Sequence, residues 1–95
     1  MTQELVRQKP ADTEQERYPN YRVVLHNDNR NSVDFVAQCL MRHLPGMSSD
    51  RAWQLTMKVH DEGLAVVFVG PREVAEMYYE LLKSEGLTVS LEPEA

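Results

Sequence analysis

The sequence has little of what several classes of protein depend on. It contains a single cysteine, Cys39, so no intramolecular disulfide can form, which fits a reducing compartment. No apolar run approaches the ~20 residues that cross a bilayer, and the first residues lack the basic-then-apolar pattern of a signal peptide. We therefore expect a cytoplasmic protein with no membrane-spanning segment.

Positive charge is also scarce. The chain has 10 Lys and Arg residues against 15 Asp and Glu, a formal net charge of −5, and the basic residues are scattered. A protein that binds a phosphate backbone needs a basic patch, so nucleic acid is not an expected partner. Its 95 residues, 42% of them hydrophobic, are enough for one small core. We expect a monomer with one folded domain.

Enzyme signatures are missing as well. The sequence has no phosphate-binding glycine loop, no dinucleotide fingerprint and no GxSxG nucleophile motif. Cys39 falls on a helical pattern, where a buried thiol is the common outcome. We expect neither catalysis nor a cofactor.

What is present is a pattern of helices and strands in the order β-α-α-β-α-β. Residues 1–17 have few apolar groups and no period, which predicts a flexible tail, and residues 18–95 form the folded domain. Alternation over residues 21–26 predicts a strand, and the apolar run LAVVFV at 64–69 is typical of a central strand. Leu87, Val89 and Leu91 alternate as a last strand. The pattern favours an α+β sandwich in which a three-stranded antiparallel sheet packs against three helices.

Helical spacing and stop signals place the three helices. The first contains Val33, Val36, Leu40 and Leu44, with Asn31 as its expected N-cap. The second begins at a cap formed by Ser48 or Ser49, carries Ala52, Leu55, Thr56 and Val59 on one stripe, and ends at Gly63. The third has Val74, Met77, Tyr78 and Leu81 on its expected inner face and ends at Gly86.

The most informative stretch is the loop between the first strand and the first helix. It contains Asn27, Asp28, Asn29 and Asn31 but no glycine or proline, so its polar side chains do more than reverse the chain. Their oxygens are acceptors suited to a primary ammonium, which brings three donors. Neutral His60, one helical turn beyond Thr56, offers a further acceptor.

These residues also have plainer interpretations. The asparagines serve turns and caps in many loops, and Val36 and Val59 fit an ordinary core. A metal site assembled from His26, Asp28 and His60 is a third alternative, although the paired spacing of zinc ligands is absent.

At these residues the sequence closely resembles the ClpS family, the adaptor proteins of the bacterial Clp protease system. The resemblance runs from about Tyr18 to the C-terminus. It is carried by YRVVL at 21–25, HND at 26–28, FV at 35–36, VH at 59–60 with Gly63, and REVAE at 72–76. Several separated motifs in one order make this a specific match.

The resemblance implies an adaptor that binds destabilising N-terminal residues of the Leu, Phe, Tyr and Trp class. Such an adaptor delivers the proteins that carry these residues to a Clp unfoldase. The resemblance assigns the α-amino group to Asn27, Asp28 and His60, and an unfoldase contact to Glu73. The implied partner is the N-terminal domain of a Clp AAA+ unfoldase of the ClpA or ClpC type. The side-chain pocket is implied to consist of Asn29, Asn31, Val33, Val36, Thr56, Val59 and Leu87.

This chain departs from the family pattern at several positions. Asn29 replaces a usual Asp and Asn31 a usual Thr, while Val33 and Thr56 stand where many members have methionines. Tyr78 replaces a basic residue on the third helix. The alternative function is therefore an interaction module that regulates a Clp unfoldase without reading N-termini.

Overall fold

The computed structural model describes residues 19–94, so the predicted tail at residues 1–17 lies outside the described part. The order of elements and the antiparallel three-stranded sheet confirm the predicted fold class. The elements are β1 (Tyr21–His26), α1 (Val33–His43), α2 (Ser49–Glu62), β2 (Leu64–Gly70), α3 (Arg72–Ser84) and β3 (Val89–Pro93).

The central strand of the sheet is β1, because the strand order is β2-β1-β3. The prediction that LAVVFV is central was therefore wrong: β2 is an edge strand, and its Leu64 and Val69 are 49% and 43% exposed. In β1, by contrast, Val23 and Leu25 are buried, and so is Val24 between them. A run of apolar residues predicts that a strand is at least partly buried. It does not predict whether the strand pairs with one neighbouring strand or with two.

Short side chains cap the first two helices. Ser32, and not Asn31, is the N-cap of α1, since its hydroxyl accepts a hydrogen bond from the backbone N–H of Phe35. Ser48 caps α2 in the same way. Gly63 ends α2 with φ of 98°, a left-handed conformation that glycine adopts without strain.

The core lies between the sheet and the helices. Cys39 and Leu40 of α1 are fully buried in it, which agrees with the expectation of a buried thiol. The predicted inner face of α3 was wrong in part, because Ala75 and Leu82 are fully buried while Val74 and Met77 are 37% and 48% exposed. Apolar residues occupy two overlapping stripes of α3, so periodicity alone did not identify which stripe faces the sheet.

Two of the described helices, α1 and α2, pack against each other, and α2 also contacts β2. This arrangement leaves the loop after β1 beside the start of α1 and the end of α2. No helix within residues 19–94 is long and apolar enough to cross a membrane.

Candidate functional site

A cavity of about 240 Å³ opens where the loop after β1 meets α1 and α2. Its walls come from three stretches of the chain that are far apart in sequence. The lining residues are Leu25, His26, Asn27, Asp28, Asn29, Asn31, Ser32, Val33, Val36, Thr56, Val59, His60 and Leu87.

Backbone hydrogen bonds hold the loop in place on both sides. The N–H of His26 donates to the carbonyl of Thr88 at 2.8 Å, and the N–H of Asn27 donates to the carbonyl of Gly63 at 2.9 Å. Gly63 in turn donates its own N–H to the carbonyl of Val59 at 2.8 Å. Asn27, the first residue of the loop, is therefore fixed to the end of α2. His26, the residue before it, is fixed to Thr88, which directly precedes β3.

The carboxylate of Asp28 organises the rest of the loop. Its Oδ1 accepts the backbone N–H groups of Arg30 at 2.9 Å and Asn31 at 3.0 Å, an Asx-type turn. Its Oδ2 accepts the hydroxyl of Thr88 at 2.8 Å and the side-chain amide of Asn31 at 3.0 Å. Both oxygens are thus oriented by neighbours, which gives the negative charge a fixed position.

These contacts keep Asp28 ionised. Partial burial by itself raises the pKa of the carboxyl group, but the hydrogen bonds from Thr88, Asn31 and Arg30 outweigh burial and lower the pKa to about 2. A carboxylate that stays charged at every physiological pH is suited to attract a cation.

Asn31 has a different position from the one expected. Instead of capping α1, its side-chain amide donates to both oxygens of Asp28 and to the carbonyl of Gly86 at 3.0 Å. The amide group therefore joins the loop after β1 to the turn after α3. It lines the cavity as a side chain that is already hydrogen-bonded.

Exposure divides the lining into two parts. Asn27, Asn29 and His60 are exposed, so they lie at the solvent edge of the cavity. Val59 and Leu87 are only 5% and 4% exposed, so the cavity also has a deeper part lined by apolar side chains.

Two helices contribute to that deeper part. Val33 and Val36 of α1 are partly buried, and Thr56 of α2 is buried. The Oγ1 atom of Thr56 has no hydrogen-bond partner among the described residues. The wall is thus largely hydrocarbon, with one hydroxyl group in it.

The structure brings together nearly all of the residues singled out in the sequence. All three proposed α-amino contacts and all seven proposed pocket residues line this one cavity. The exception is Glu73, which lies exposed in the first turn of α3. Between the cavity and Glu73 runs the seven-residue strand β2, which spans about 20 Å at ~3.3 Å per residue.

Sequence reasoning did not predict the roles of Thr88, Ser32 and His26 at the site. Thr88 bonds to Asp28 across 60 positions of sequence, and no local pattern joins two residues so far apart. Ser32 lines the cavity besides capping α1, and a search for the cap at Ser32 instead of Asn31 would have found it. His26, which the sequence offered only as a candidate metal ligand, lines the cavity, and its Nε2 lies 2.8 Å from the hydroxyl of Ser90.

The alternative of a metal site receives no support from the geometry. Within residues 19–94, no three His, Cys, Asp or Glu side chains lie close enough together to hold a metal ion. His26 and Asp28 are each engaged by hydroxyl groups instead.

Comparison with protein families gives a match over most of the chain. Residues 16–90 match the family model described as ATP-dependent Clp protease adaptor protein ClpS. A ClpS adapter protein from Thermosynechococcus vestitus is 50% identical over 91 residues, which cover 95% of this chain and 97% of the relative. The chloroplastic adapter CLPS1 of Arabidopsis thaliana is 45% identical over 76 residues, 80% of this chain and 48% of that protein.

A solved structure agrees with these matches. The Agrobacterium tumefaciens protein ClpS2, determined bound to L-phenylalaninamide, superposes with a TM-score of 0.75 at 32% sequence identity. The similarity covers 79% of this chain and 96% of that one. The observed fold is thus one that a related protein also adopts.

Proposed function

The chain belongs to the ClpS family of Clp protease adaptors, and on this premise we propose that it reads the N-terminal residues of other proteins. It binds the free α-amino group and the first side chain of destabilising N-termini, those beginning with Leu, Phe, Tyr or Trp. It then delivers the bound protein to a Clp AAA+ unfoldase.

The observation that carries the proposal is a fixed, ionised carboxylate beside an apolar cavity. Asp28 is held by Thr88 and by the loop backbone, and its pKa is lowered to about 2. The deeper part of the same cavity is lined by buried Val59 and Leu87. An N-terminal residue with a large side chain presents the complementary pair of groups, a cation and a hydrocarbon, only a few bonds apart.

Each group has one role in this proposal. The ammonium donates to Asp28, to the side-chain oxygen of Asn27 and to a neutral ring nitrogen of His60. The first side chain enters between α1 and α2. The side-chain contacts are Asn29, Asn31, Val33, Val36, Thr56, Val59 and Leu87.

Magnitudes indicate that both parts are needed. Burying a Leu or Phe side chain contributes ~1.5–3 kcal/mol, and a hydrogen bond to a charged group contributes ~1.5–3 kcal/mol. Micromolar binding corresponds to ~8 kcal/mol, which exceeds what side-chain burial or any single hydrogen bond contributes alone. Internal Leu residues, which lack the ammonium, and small N-terminal residues, which leave the cavity empty, are therefore rejected.

The proposed surface for the unfoldase includes Glu73 on α3. The N-terminal domain of a ClpA- or ClpC-type unfoldase is the proposed partner, and the adaptor acts as a monomer. A location in the cytoplasm stays a prediction, since the Arabidopsis thaliana relative is chloroplastic.

The test is fluorescence polarisation with labelled peptides that differ only in residue one: Leu, Phe, Tyr, Trp, Ile and Ala, with an acetylated Leu peptide. We expect micromolar or tighter binding of the large apolar N-termini and loss of binding on acetylation. Asp28→Ala should abolish binding, because it removes the fixed charge.

Asp34→Ala is the matched control. It removes one carboxylate from the first turn of α1, at a position that does not line the cavity. Equal binding of the acetylated and free peptides would refute recognition of the amino group. Absence of binding to every peptide would favour the alternative, an adaptor that regulates the unfoldase without reading N-termini.

A further inference from the structure

The hydroxyl group of Thr56 is a buried polar group without a hydrogen-bond partner among the described residues. Thr56 is only 3% exposed, and it lines the cavity. A buried hydroxyl without a partner is destabilising, because it has lost its hydrogen bonds to water and gained none in return.

The usual partner of a threonine inside a helix is absent. Such a hydroxyl often donates to the carbonyl four residues earlier, which is that of Ala52 here. No hydrogen bond of this kind is formed among residues 19–94. The hydroxyl therefore has an unused donor and unused acceptor positions, although neighbouring protein atoms cover Oγ1 in the free protein.

Two neighbouring polar groups of the cavity are already engaged in hydrogen bonds. The side-chain amide of Asn31 is bound to Asp28 and Gly86, and the hydroxyl of Ser32 caps α1. Thr56 differs from them in having no role inside the free protein. It also lies one helical turn before His60, about 6 Å along the helix axis, on the same face.

We infer that the Thr56 hydroxyl forms a hydrogen bond with the first side chain of the bound protein, and that the cavity therefore prefers aromatic N-terminal residues with a polar hydrogen. Tyrosine and tryptophan belong to this class, whereas phenylalanine and leucine do not. This inference rests on the proposed function, and it makes Thr56 a residue that determines specificity.

The preference follows from what each occupant does to the hydroxyl. A Phe or Leu side chain offers no hydrogen-bonding group, so Oγ1 of Thr56 stays without a partner. The phenol of Tyr or the indole N–H of Trp supplies one. Rotation about χ1 moves the hydroxyl to another staggered position, and threonine populates two rotamers in helices, so in this proposal the covered oxygen turns towards an occupant without backbone movement.

The experiment is a double-mutant cycle in which protein and peptide are each changed by one group. Dissociation constants are measured for the full chain and Thr56→Val with peptides beginning with Tyr or Phe. A second pair uses Trp and its isostere 3-benzothienylalanine, which lacks the N–H. Valine keeps the shape of threonine and removes only the hydrogen-bonding group.

We expect Thr56→Val to reduce the preference for at least one polar ring over its apolar isostere by about three- to tenfold, the value of one hydrogen bond. Thr56→Ser should retain the preference, because it keeps the hydroxyl. Thr88→Val is the control. Because it disturbs Asp28, it should weaken the binding of all four peptides alike and leave the Tyr-to-Phe and Trp-to-benzothienylalanine affinity ratios unchanged.

A preference that is equal in the full chain and in Thr56→Val for both peptide pairs would overturn the inference. In that case peptides that still bind, and lose binding on acetylation, would leave the proposed function standing. Failure of all four peptides to bind the unaltered protein would overturn both. A melting temperature of Thr56→Val at or above that of the unaltered protein would verify that the variant folds and that the hydroxyl stabilises nothing in the free state.

Discussion

Thr88 controls the position of the charge at which we place the bound ammonium. Its hydroxyl donates to Oδ2 of Asp28 at 2.8 Å, and its carbonyl accepts the N–H of His26 at 2.8 Å. One residue thereby sets both the orientation of the carboxylate and the end of β1.

We predict that Thr88→Val weakens binding of an N-terminal Leu or Phe peptide by about three- to tenfold, because one hydrogen bond that orients Asp28 is lost. Thr88→Ser, which keeps the hydroxyl, should bind like the unaltered protein. Isothermal titration calorimetry of both variants is the measurement. Equal affinity of the valine variant would show that the loop backbone alone orients the carboxylate.

Asp28 also gives the fold a pH dependence. Its pKa is about 2 in the folded protein against an ordinary value of 3.8, so the folded state favours the ionised form. The resulting stabilisation is present above about pH 4 and is lost as the pH falls towards 2, in line with proton linkage. For a partly exposed group, a contribution of about 1–2 kcal/mol is a fair expectation.

We therefore predict that Asp28→Asn loses less stability than the unaltered protein between pH 4.5 and pH 2. Urea unfolding, followed by circular dichroism at a series of pH values, measures the free energy of unfolding of both proteins. If that free energy fell equally with pH in both, Asp28 would not be the source of the pH dependence. Because Asp28 stays ionised from pH 7 to pH 4.5, any change of peptide binding within that range must come from another group.

Residue types in the loop after β1 were enough to predict which side chains gather, but not what each one does. The sequence predicted that Asn27, Asp28 and Asn31 share a site, and all three line one cavity. The exchange of roles between Asn31 and Ser32 was missed because both are good capping residues and lie next to each other. The hydrogen bond from Phe35 to Ser32, together with the bond from Asn31 to Gly86, decides between them.

At the scale of elements, sequence patterns predicted the number, type and order of strands and helices. They did not predict which strand is central, because the apolar run in β2 and the alternation in β1 fit either position. They also misplaced the inner face of α3 by one residue, since Val74 and Ala75 both begin an apolar stripe. Both errors concern packing partners, which depend on residues elsewhere in the chain.

The ends of α1 and α3 are joined by an ion-pair cluster. Oε2 of Glu85, the C-cap of α3, accepts a hydrogen bond from Nη1 of Arg42 at 2.8 Å and lies 2.6 Å from Nε2 of His43. Hydrogen bonds from His43, then from Arg42, lower the pKa of Glu85. A lowered pKa means that the stabilisation exists above the ordinary carboxyl pKa and is lost as the pH falls through the lowered value.

We predict that Glu85→Gln is less stable than the unaltered protein at pH 6 and that the difference shrinks at pH 3. Melting temperatures at the two pH values measure this difference. Glu80→Gln, on the exposed surface of α3, is the control and should change neither value appreciably. A difference of the same size at both pH values would mean that the cluster stabilises by packing and not by charge.

For the whole molecule, the two proposed contacts lie at opposite ends of the sheet. Leu64 pairs with His26 beside the cavity, whereas Gly70 pairs with Tyr21 next to the start of α3, where Glu73 lies. In the proposed function, cargo and unfoldase would therefore bind at separate ends of the sheet and could bind at the same time.

We predict that Glu73→Lys separates the two activities. Reversing an exposed charge about 20 Å from the cavity should leave the affinity for an N-terminal Phe peptide within about twofold, since such interactions are screened over ~10 Å. Binding to the N-terminal domain of the unfoldase should weaken several-fold and become less sensitive to salt. Loss of peptide binding in this variant would show that the two surfaces are coupled.

The central position of β1 has a mechanical consequence. β1 is the first described strand, and it is paired along both of its edges, with β2 and with β3. Tension applied to the chain ahead of Tyr21 acts on two hydrogen-bonded ladders at once, whereas a strand at the edge of the sheet is held by one. Force along β1 would therefore have to break both ladders before the strand could leave the sheet and open the cavity at its other end.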